Sequence, residues 1–303
     1  MKILLLGKNG QVGWELQRSL APLGDVLALD RHSTRYCGDL SKPQELAQTV
    51  LAYKPDIIVN AAAHTAVDKA ESEPELARCL NTDAPAALAK AAAQMGAWLV
   101  HYSSDYVFDG SGSHARLEGE GEGTGPLSVY GQTKLDGEQA IAASGCKHFI
   151  FRTSWVYAAR GGNFAKTMLR LAQERDKLKV INDQHGAPTG ADLIADVTAH
   201  VLRHVQASQN AALSGLYHLV ASGETTWHGY TSHVIEEAKR ISPALELKVD
   251  EVAPVPTSAF PTLATRPLNS RLSTVKLQQA FGLVLPPWQQ GVDRMLKEIL
   301  LGN

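Results

Sequence analysis

The sequence predicts an α/β fold in which a doubly wound parallel sheet is followed by a smaller C-terminal α/β lobe. Short aliphatic runs alternate with longer stretches whose apolar residues recur at helical spacing, which is typical of strands joined by helical crossovers. The first aliphatic run leads directly into a glycine-rich turn that opens a helix. The alternation becomes irregular after residue 155, and this change indicates the second lobe.

Each predicted element follows from its own pattern. In the first helix, Val12, Leu16 and Leu20 are spaced for one face, and Pro43 favours the first turn of the next helix. The predicted strands are 2–6, 26–30, 56–60, 99–103, 148–152 and 217–220. The predicted helices are 11–23, 43–53, 83–95, 132–144, 163–175, 190–206, 228–240 and 288–301.

The composition narrows the class of protein. Lys and Arg number 29 and Asp and Glu 31, so the net charge of −2 argues against nucleic acid as the main partner. Three separated cysteines without a CxxC pattern suit a reduced, cytoplasmic protein, and no apolar run is long enough for a membrane span. The eleven histidines show no clustered ligand spacing, so we expect no catalytic metal.

The glycine-rich turn has the spacing of a dinucleotide site. Gly7, Gly10 and Gly13 follow a strand and open a helix, an arrangement that places a diphosphate at the helix N-terminus. Asp30, at the end of the next strand, favours the ribose hydroxyls of NAD, whereas the adjacent Arg31 could meet the 2′-phosphate of NADP. We therefore expect NADPH as cofactor with NADH also accepted. A tight turn that binds no ligand is the alternative.

Asp39 and Leu40 are further candidates at the adenine end of this site. We expect them to follow a third short strand and to flank the adenine ring. A role for Asp39 in capping a turn or helix is an equal alternative.

A second pattern indicates proton transfer beside the cofactor. Tyr130 and Lys134 lie one helical turn apart, so the lysine charge could lower the pKa of the phenol. Ser104 lies at the carboxyl end of a strand, where ligands of open α/β sheets bind, and its hydroxyl could contact a substrate oxygen. Together with the glycine turn, these residues indicate reduction of a carbonyl. A surface helix without chemistry is the alternative for the Tyr–Lys pair alone.

These motifs divide the chain. We expect residues 1–157 to form an NAD(P)-binding Rossmann domain. Residues 158–303 would form mainly the substrate lobe, with some segments returning to the first domain. The glycine-rich stretch 119–125 is a candidate lid.

Several longer segments resemble the extended short-chain dehydrogenases/reductases and, within them, the family of dTDP-4-dehydrorhamnose reductases. They span nearly the whole chain and are GKNGQVGWEL (7–16), NAAAHTAVDKAE (60–71), HYSSDYVFDG (101–110), PLSVYGQTKLDGE (126–138), RTSWVY (152–157), NDQHGAPT (182–189) and RPLNSRL (266–272). The resemblance implies NAD(P)H-dependent reduction of the C4 ketone of dTDP-4-dehydro-β-L-rhamnose, a step that supplies dTDP-L-rhamnose to surface polysaccharides such as O antigen.

The resemblance also implies roles for residues at matching positions. Tyr130 would donate the proton with Lys134 as its partner. The residues implied at the cofactor are Gly10, Gln11, Val12, Asp30, Asp39, Leu40, Ala63, His64, Thr65 and Tyr102. The residues implied at the sugar nucleotide are Ser104, Asp105 and Trp155. From the residues alone, core packing for Trp155 and a satisfied polar role for His64 are alternatives.

Some members of this family are dimers joined through Mg²⁺ held by acidic residues, and the matching positions here include Glu15 and Asp192. Because Trp288, Gln289 and Gln290 stand where a further acid is expected, we expect any Mg²⁺ to bind weakly and to be dispensable. A homodimer would then not depend on metal. Two other functions remain open: another nucleotide-sugar 4-ketoreductase or epimerase, and a non-catalytic regulatory subunit of the same fold.

Overall fold

The computed structural model describes residues 1–120 and 125–302. Most of the candidate lid, residues 121–124, lies outside the described residues. The strands are β1 (Lys2–Leu6), β2 (Asp25–Leu29), β3 (Ile57–Asn60), β4 (Trp98–Ser104), β5 (Lys147–Thr153), β6 (Val156–Tyr157), β7 (Lys177–Ile181), β8 (His185–Gly186), β9 (Thr189–Gly190), β10 (Gly215–His218), β11 (Thr225–Thr226) and β12 (Glu251–Val255). The α-helices are α1 (Gln11–Leu20), α2 (Pro43–Tyr53), α3 (Val67–Ser72), α4 (Pro74–Arg78), α5 (Ala84–Met95), α6 (Val129–Ala143), α7 (Phe164–Glu174), α8 (Ala191–Ser208), α9 (Trp227–Ile241), α10 (Val275–Phe281) and α11 (Trp288–Leu301).

Six strands form one parallel sheet in the order β10-β5-β4-β3-β1-β2. The predicted doubly wound α/β fold is therefore confirmed. One predicted strand is wrong, because residues 34–38 before Asp39 form turns and irregular backbone instead. Gly38 packs so closely on the end of β2 that a Cβ there would lie 2.6 Å from the Asp30 carbonyl oxygen.

The sheet is buried on both faces because successive side chains of a strand point in opposite directions. Ile3 and Leu5 pack into one core with α1 and α8, while Leu4 and Leu6 pack into the other with α2 and α5. All four side chains are fully buried, and burying a leucine or isoleucine side chain contributes about 1.5–3 kcal/mol. Because both faces of the sheet are buried, the sequence of β1 is continuously apolar and does not alternate with polar residues.

The C-terminal half contributes to two cores. Strand β10 pairs with β5 at the edge of the large sheet, and α8 packs against α1. A separate cluster joins α7, α9 and α11 around Tyr157, Tyr230 and Trp288. The division of the chain into a cofactor domain and a substrate lobe stays a prediction. Within residues 1–120 and 125–302, no helix is both long enough and apolar enough to cross a membrane.

Helix α6 begins earlier than its periodicity predicts. Ser128 caps the helix by accepting a hydrogen bond from the Gly131 amide at its Oγ, 3.2 Å away. The first helical residue is therefore Val129 rather than residue 132. This start places Tyr130 within the helix, so that Lys134 lies one turn further along the same face.

Candidate active site

A cleft of about 1480 Å³ opens at the carboxyl ends of the central strands. Of the residues that the sequence predicts for the site, Gly13 and His64 do not line it. The others do, namely Gly7, Gly10, Gln11, Val12, Asp30, Arg31, Asp39, Leu40, Ala63, Thr65, Tyr102, Ser104, Asp105, Tyr130, Lys134 and Trp155. The structure thus brings most of the candidate residues to one cavity, and their individual roles stay predictions.

The glycine turn between β1 and α1 has the shape of a dinucleotide cradle. Gly7 has a φ of +89°, and a Cβ there would lie 2.8 Å from the Ala62 amide nitrogen. A Cβ on Gly13 would lie 2.0 Å from the Gly7 carbonyl oxygen, so Gly13 lets helix and strand approach each other. Gly10 is the N-cap of α1 and provides no side-chain cap, which leaves backbone donors for an anion. These residues fit a dinucleotide diphosphate.

Asp30 is held as a charged acceptor at the end of β2. Its Oδ2 accepts from Asn9 Nδ2 at 2.6 Å, and its Oδ1 accepts from the His32 amide and the Ser33 hydroxyl, each at 3.0 Å. Burial would raise the pKa of Asp30, but the hydrogen bonds from His32 and Ser33 and the charge of Lys8 bring the pKa below its usual value. An ionised carboxylate at this place suits ribose hydroxyls.

Asp39 serves a turn and lines the cleft as well. Its Oδ1 accepts from both the amide and the hydroxyl of Ser41, at 3.0 and 2.8 Å. The side chain of Asp39 therefore caps a turn, as the alternative had it. Because Asp39 also lines the cleft, its contact with the adenosine stays a prediction.

Lys134 is buried at the floor of the cleft with 1% exposure. Its Nζ donates to the Tyr102 carbonyl oxygen at 2.5 Å. Burial lowers the pKa of Lys134 to about 8, and the charge of Glu138 opposes that shift. The amine is therefore anchored by the strand that leads to Ser104.

The phenol of Tyr130 differs from the sequence-based expectation. Burial raises the pKa of Tyr130, and a hydrogen bond with Ser104 offsets only part of that rise. The expected lowering by Lys134 is wrong for this arrangement, because desolvation dominates and the ammonium is hydrogen-bonded to the carbonyl of Tyr102. A phenol with a raised pKa is protonated at neutral pH, as a proton donor must be.

A buried His–Asn pair stands behind Lys134 and was not found from the sequence. Asn60 Oδ1 accepts from the Ala62 amide at 3.3 Å, so its Nδ2 faces His101 Nδ1 at 3.2 Å. The other ring nitrogen, Nε2, lies 3.5 Å from Lys134 Nζ. Burial, followed by the charge of Lys134, lowers the pKa of His101 well below its usual value, so the ring is neutral.

The strand ends also present buried polar atoms without protein partners. Asp105 is 2% exposed, and burial raises its pKa to about 6 despite hydrogen bonds from Ser270 and Ser104. Asp105 Oδ2 has no hydrogen-bond partner among the described residues. The same holds for three hydroxyls that line the cleft, those of Ser103, Thr153 and Ser154. Such atoms are costly unless a ligand or water satisfies them, so they fit a polar ligand.

Trp155 lies at the wall of the cleft in an unusual backbone conformation. Its φ is +49°, a left-handed value that is rare for a bulky residue. Its ring stacks on Trp227, with centroids 3.7 Å apart and planes 17° apart, and both tryptophans line the cleft. Trp155 also packs against the cluster of Tyr157, Tyr230 and Trp288, so contact of this residue with a ligand stays a prediction.

His64 lies just behind the cleft. The Asn81 side chain accepts from the His64 amide at 2.9 Å and donates to the His64 carbonyl at 3.1 Å. Asn81 also donates to the Thr133 hydroxyl at 3.2 Å and so joins this segment to α6. The His64 imidazole lies 3.7 Å from Glu73, and its role toward the cofactor stays a prediction.

Glu15 and Asp192 share a pocket of about 440 Å³ with Glu298, and weak, dispensable binding of Mg²⁺ there stays a prediction. Each carboxylate is paired with an arginine: Glu15 Oε2 with Arg18 Nε at 3.4 Å, and Asp192 Oδ2 with Arg294 Nη1 at 3.1 Å. Among the described residues, no group of three or more potential His, Cys, Asp or Glu ligands is assembled. The Arg294 guanidinium therefore already supplies a positive charge beside Asp192.

Sequence reasoning missed several residues of the cleft because they come from distant segments. The cleft is also lined by Asn60, Arg160, Trp227 and Arg266. Arg266 belongs to a segment that carried the family resemblance, and its Nη2 pairs with Asp68 at 2.8 Å. Arg160 and Trp227 carry no local pattern that would have marked them.

A doubly wound sheet with a dinucleotide turn, and with serine, tyrosine and lysine gathered at its strand ends, defines an extended short-chain dehydrogenase/reductase. A family model for the RmlD substrate binding domain matches residues 1–301. The chain is 60% identical over 299 residues to the dTDP-4-dehydrorhamnose reductases of Shigella flexneri and of Escherichia coli K12. In each case the match covers 99% of this chain and 98% of the relative.

Solved structures agree with this relationship. A dTDP-4-dehydrorhamnose reductase from Clostridium acetobutylicum superposes with a TM-score of 0.86 at 34% identity, covering 100% of both chains. The Bacillus anthracis reductase, solved in complex with NADP, has a TM-score of 0.85 at 32% identity and covers 98% of this chain and 99% of that one. This chain belongs to the family of dTDP-4-dehydrorhamnose reductases and is an oxidoreductase that uses a nicotinamide cofactor.

Proposed function

We propose that this chain reduces the C4 ketone of dTDP-4-dehydro-β-L-rhamnose to the hydroxyl of dTDP-L-rhamnose, with Tyr130 as proton donor. The observation that carries the proposal is the buried set of Ser104, Tyr130 and Lys134 on the floor of a cleft that also contains the glycine turn. The near full-length similarity to reductases of this name supports the choice of substrate.

NADPH, with NADH as an accepted alternative, supplies the hydride when it is bound. The glycine turn at Gly7 and Gly10 would hold the diphosphate on backbone amides, since α1 has no side-chain cap. Asp30 would accept a ribose hydroxyl. Arg31, which lines the same end of the cleft, would meet the 2′-phosphate and favour NADPH.

The side chains at the floor of the cleft would deliver a proton to the substrate oxygen and hold that oxygen in place. Tyr130 gives its phenolic proton to the oxygen at C4 as the carbon accepts hydride, which completes the alcohol. Ser104, hydrogen-bonded to Tyr130, would hold the same oxygen and align it. Lys134, fixed on the Tyr102 carbonyl, would hold its charge at the floor of the cleft for contact with the ribose of the cofactor.

The sugar nucleotide would occupy the part of the cleft beyond Ser104. Trp155 and Trp227 offer a stacked aromatic wall, and Asp105 offers a buried acceptor. The unpartnered hydroxyls of Ser103, Thr153 and Ser154 would supply further hydrogen bonds to cofactor or sugar. A pocket with an apolar wall and a few convergent polar atoms suits a small polar ligand.

The test is oxidation of NADPH by the purified chain in the presence of dTDP-4-keto-L-rhamnose, with the product identified by mass spectrometry and NMR. We expect one reduced sugar per cofactor oxidised, and a product with the rhamno configuration. The UDP-linked 4-keto sugar is the matched control for nucleotide choice. Interconversion of sugars with no net oxidation of cofactor, together with NAD retained through purification, would indicate an epimerase instead.

A further inference from the structure

The loop between β6 and α7, residues 158–163, returns from the C-terminal half of the chain to the glycine turn. Arg160 and Gly161 of this loop line the same cleft as Gly10 and Gln11. The loop therefore brings one side chain with a permanent positive charge to the rim of the cradle that fits a diphosphate.

Hydrogen bonds hold this loop in place. Lys166 Nζ donates to the carbonyl oxygens of Ala159 and Gly161, at 2.7 and 2.8 Å, which fixes the backbone on both sides of residue 160. Gln11, the first residue of α1, donates from Nε2 to the Gly162 carbonyl at 3.3 Å. The loop is thus attached directly to the helix whose N-terminus faces the cleft.

The guanidinium of Arg160 stacks on Trp14. Its Cζ lies 3.7 Å from the centroid of a Trp14 ring, close enough for a cation–π interaction. Trp14 is 45% exposed although it is a large aromatic residue in the second turn from the cradle. Trp14 lines the neighbouring pocket of Glu15 and Asp192, whereas Arg160 lines the cleft, so the stacked pair lies between the two. Stacking leaves the N–H donors of the guanidinium, which lie in the plane of the group, available to a ligand.

Among the described residues, four Lys or Arg side chains line the cleft, and three of them lie away from the glycine turn. Lys134 is hydrogen-bonded at the reaction centre, Arg266 is paired with Asp68, and Arg31 lies beyond β2. Arg160 has no carboxylate within ion-pair distance in the described part of the chain. It is the basic side chain at the glycine turn whose charge is not already paired.

From these contacts we infer that Arg160 binds the diphosphate of the dinucleotide cofactor from the side opposite the glycine turn. The inference rests on the proposed function only in that a dinucleotide occupies this cleft. Trp14 is then a positioning residue, which holds the guanidinium by its flat face. Cofactor binding would add a further contact between the loop 158–163 and the glycine turn, beyond the hydrogen bond that Gln11 already makes.

Two diphosphates could reach this cleft, that of the cofactor and that of the nucleotide sugar. The cofactor is the better match, because Arg160 is stacked on α1 and its loop is bonded to Gln11 of the same helix. The tryptophan pair that would contact the sugar nucleotide involves Trp227, at the start of α9.

The test compares Arg160→Ala and Arg160→Lys with the unaltered protein by titration with NADPH, followed by its fluorescence. A charge-assisted hydrogen bond contributes enough that we expect Arg160→Ala to raise the Kd for NADPH about tenfold. Arg160→Lys should lose less, since it keeps the charge but not the planar fork. ADP-ribose, which carries the diphosphate without nicotinamide, should show the same ranking. Neither measurement depends on turnover.

Three comparisons separate the outcomes. Arg203→Ala, at an exposed arginine of α8 distant in sequence from the loop, is the matched control and should leave every Kd unchanged. Melting temperatures of the free variants show whether each one folds. A Kd for NADPH that is unchanged in Arg160→Ala overturns the inference. Parallel titrations with dTDP and NADH distinguish two other roles. A loss of affinity confined to dTDP would assign Arg160 to the sugar nucleotide, and a loss for NADPH but not for NADH would assign it to the 2′-phosphate. Either result also overturns the inference.

Discussion

Lys134 and Tyr102 are joined by a hydrogen bond of 2.5 Å from the buried ammonium to the backbone carbonyl of the strand beneath it. Tyr102 is itself fixed, since its hydroxyl lies 2.8 Å from the Thr198 hydroxyl on α8. The position of the amine is therefore set by the sheet and by the packing of α8 and does not depend on contact with Tyr130. Burial of the amine at this position lowers its pKa to about 8.

We expect the Kd for NADPH to rise as pH increases through about 8. Burial lowers the pKa of Lys134 to about 8, so the side chain is charged below that value and neutral above it. Loss of the charge weakens the contact that Lys134 would make with the cofactor. Titrations from pH 6 to 10 measure the inflection, and Lys134→Ala should bind weakly with no inflection near 8. An equal inflection in that variant would assign the titration to another group.

Tyr130→Phe should lower turnover by about 10²–10⁴, the usual scale for a positioned general acid. The ring is retained, so its T-shaped contact with Tyr106, with centroids 5.4 Å apart, should persist and the fold should be unchanged. Cofactor affinity should change little. Steady-state kinetics and a NADPH titration check the two expectations, and Tyr106→Phe is the matched control. Near-normal turnover in Tyr130→Phe would show that the proton comes from elsewhere.

Asp105→Asn should raise the free energy of unfolding of the free protein at pH 7 and should lower its affinity for the sugar nucleotide. Burial raises the pKa of Asp105 from 3.8 to about 6, so the folded chain binds a proton more tightly than the unfolded chain. The stability from this group is fully present below pH 3.8 and is lost as pH rises through about 6. At about 1.4 kcal/mol per pKa unit, the cost at pH 7 is up to about 3 kcal/mol.

The amide of Asn carries no charge, so it avoids this cost at neutral pH. Denaturant unfolding at pH 4 and at pH 7 tests the sign of the effect. The free energy of unfolding of Asp105→Asn, relative to that of the unaltered protein, should be higher at pH 7 than at pH 4. A gain of the same size at both pH values would show that the effect is not one of ionisation. Ser104→Ala at both pH values controls for the loss of one hydrogen bond to Asp105, which is 2.9 Å long.

Arg31→Ala should raise the Michaelis constant for NADPH more than that for NADH. Arg31 contacts only His32 among the described residues, with Nε 3.1 Å from the imidazole Nε2, and so keeps most of its donors for a 2′-phosphate. His32→Ala is the neighbouring control. Equal effects of Arg31→Ala on both cofactors would place the guanidinium away from the 2′-phosphate.

The sequence predicted most of the sheet from local patterns, and it predicted most of the residues of the cleft from those patterns together with the family resemblance. Strand periodicity located β1 to β5, and the spacing of Tyr130 and Lys134 is visible once a helix is assumed. The start of α6 was misplaced because periodicity ignores the cap that Ser128 provides. Arg160 and Trp227 could not be predicted, since they reach the cleft only through tertiary packing of α7 and α9.

The pKa of Tyr130 illustrates a second limit. The helical spacing indicates that Lys134 is near, but not whether the ammonium has a better partner or how deeply the phenol is buried. Desolvation outweighs the neighbouring charge here, and only the packed structure supplies the burial of both groups.

The last prediction concerns divalent metal at the pocket of Glu15 and Asp192. The Arg294 guanidinium already supplies a positive charge to Asp192, and Arg18 does so for Glu15. Mg²⁺ would have to compete with these arginines for the carboxylates of the pocket. EDTA should therefore change neither the turnover nor the sedimentation coefficient of the protein, and Mg²⁺ should not raise its melting temperature.

Arg294→Glu reverses the sign of the charge beside Asp192 and adds a carboxylate to the pocket. We expect this variant to be destabilised without metal, because like charges then face each other, and to gain melting temperature when Mg²⁺ or Mn²⁺ is added. Arg170→Glu on the exposed face of α7 is the matched charge-reversal control and should not respond to metal. Dissociation of an assembly and loss of turnover on adding EDTA to the unaltered protein would contradict this prediction.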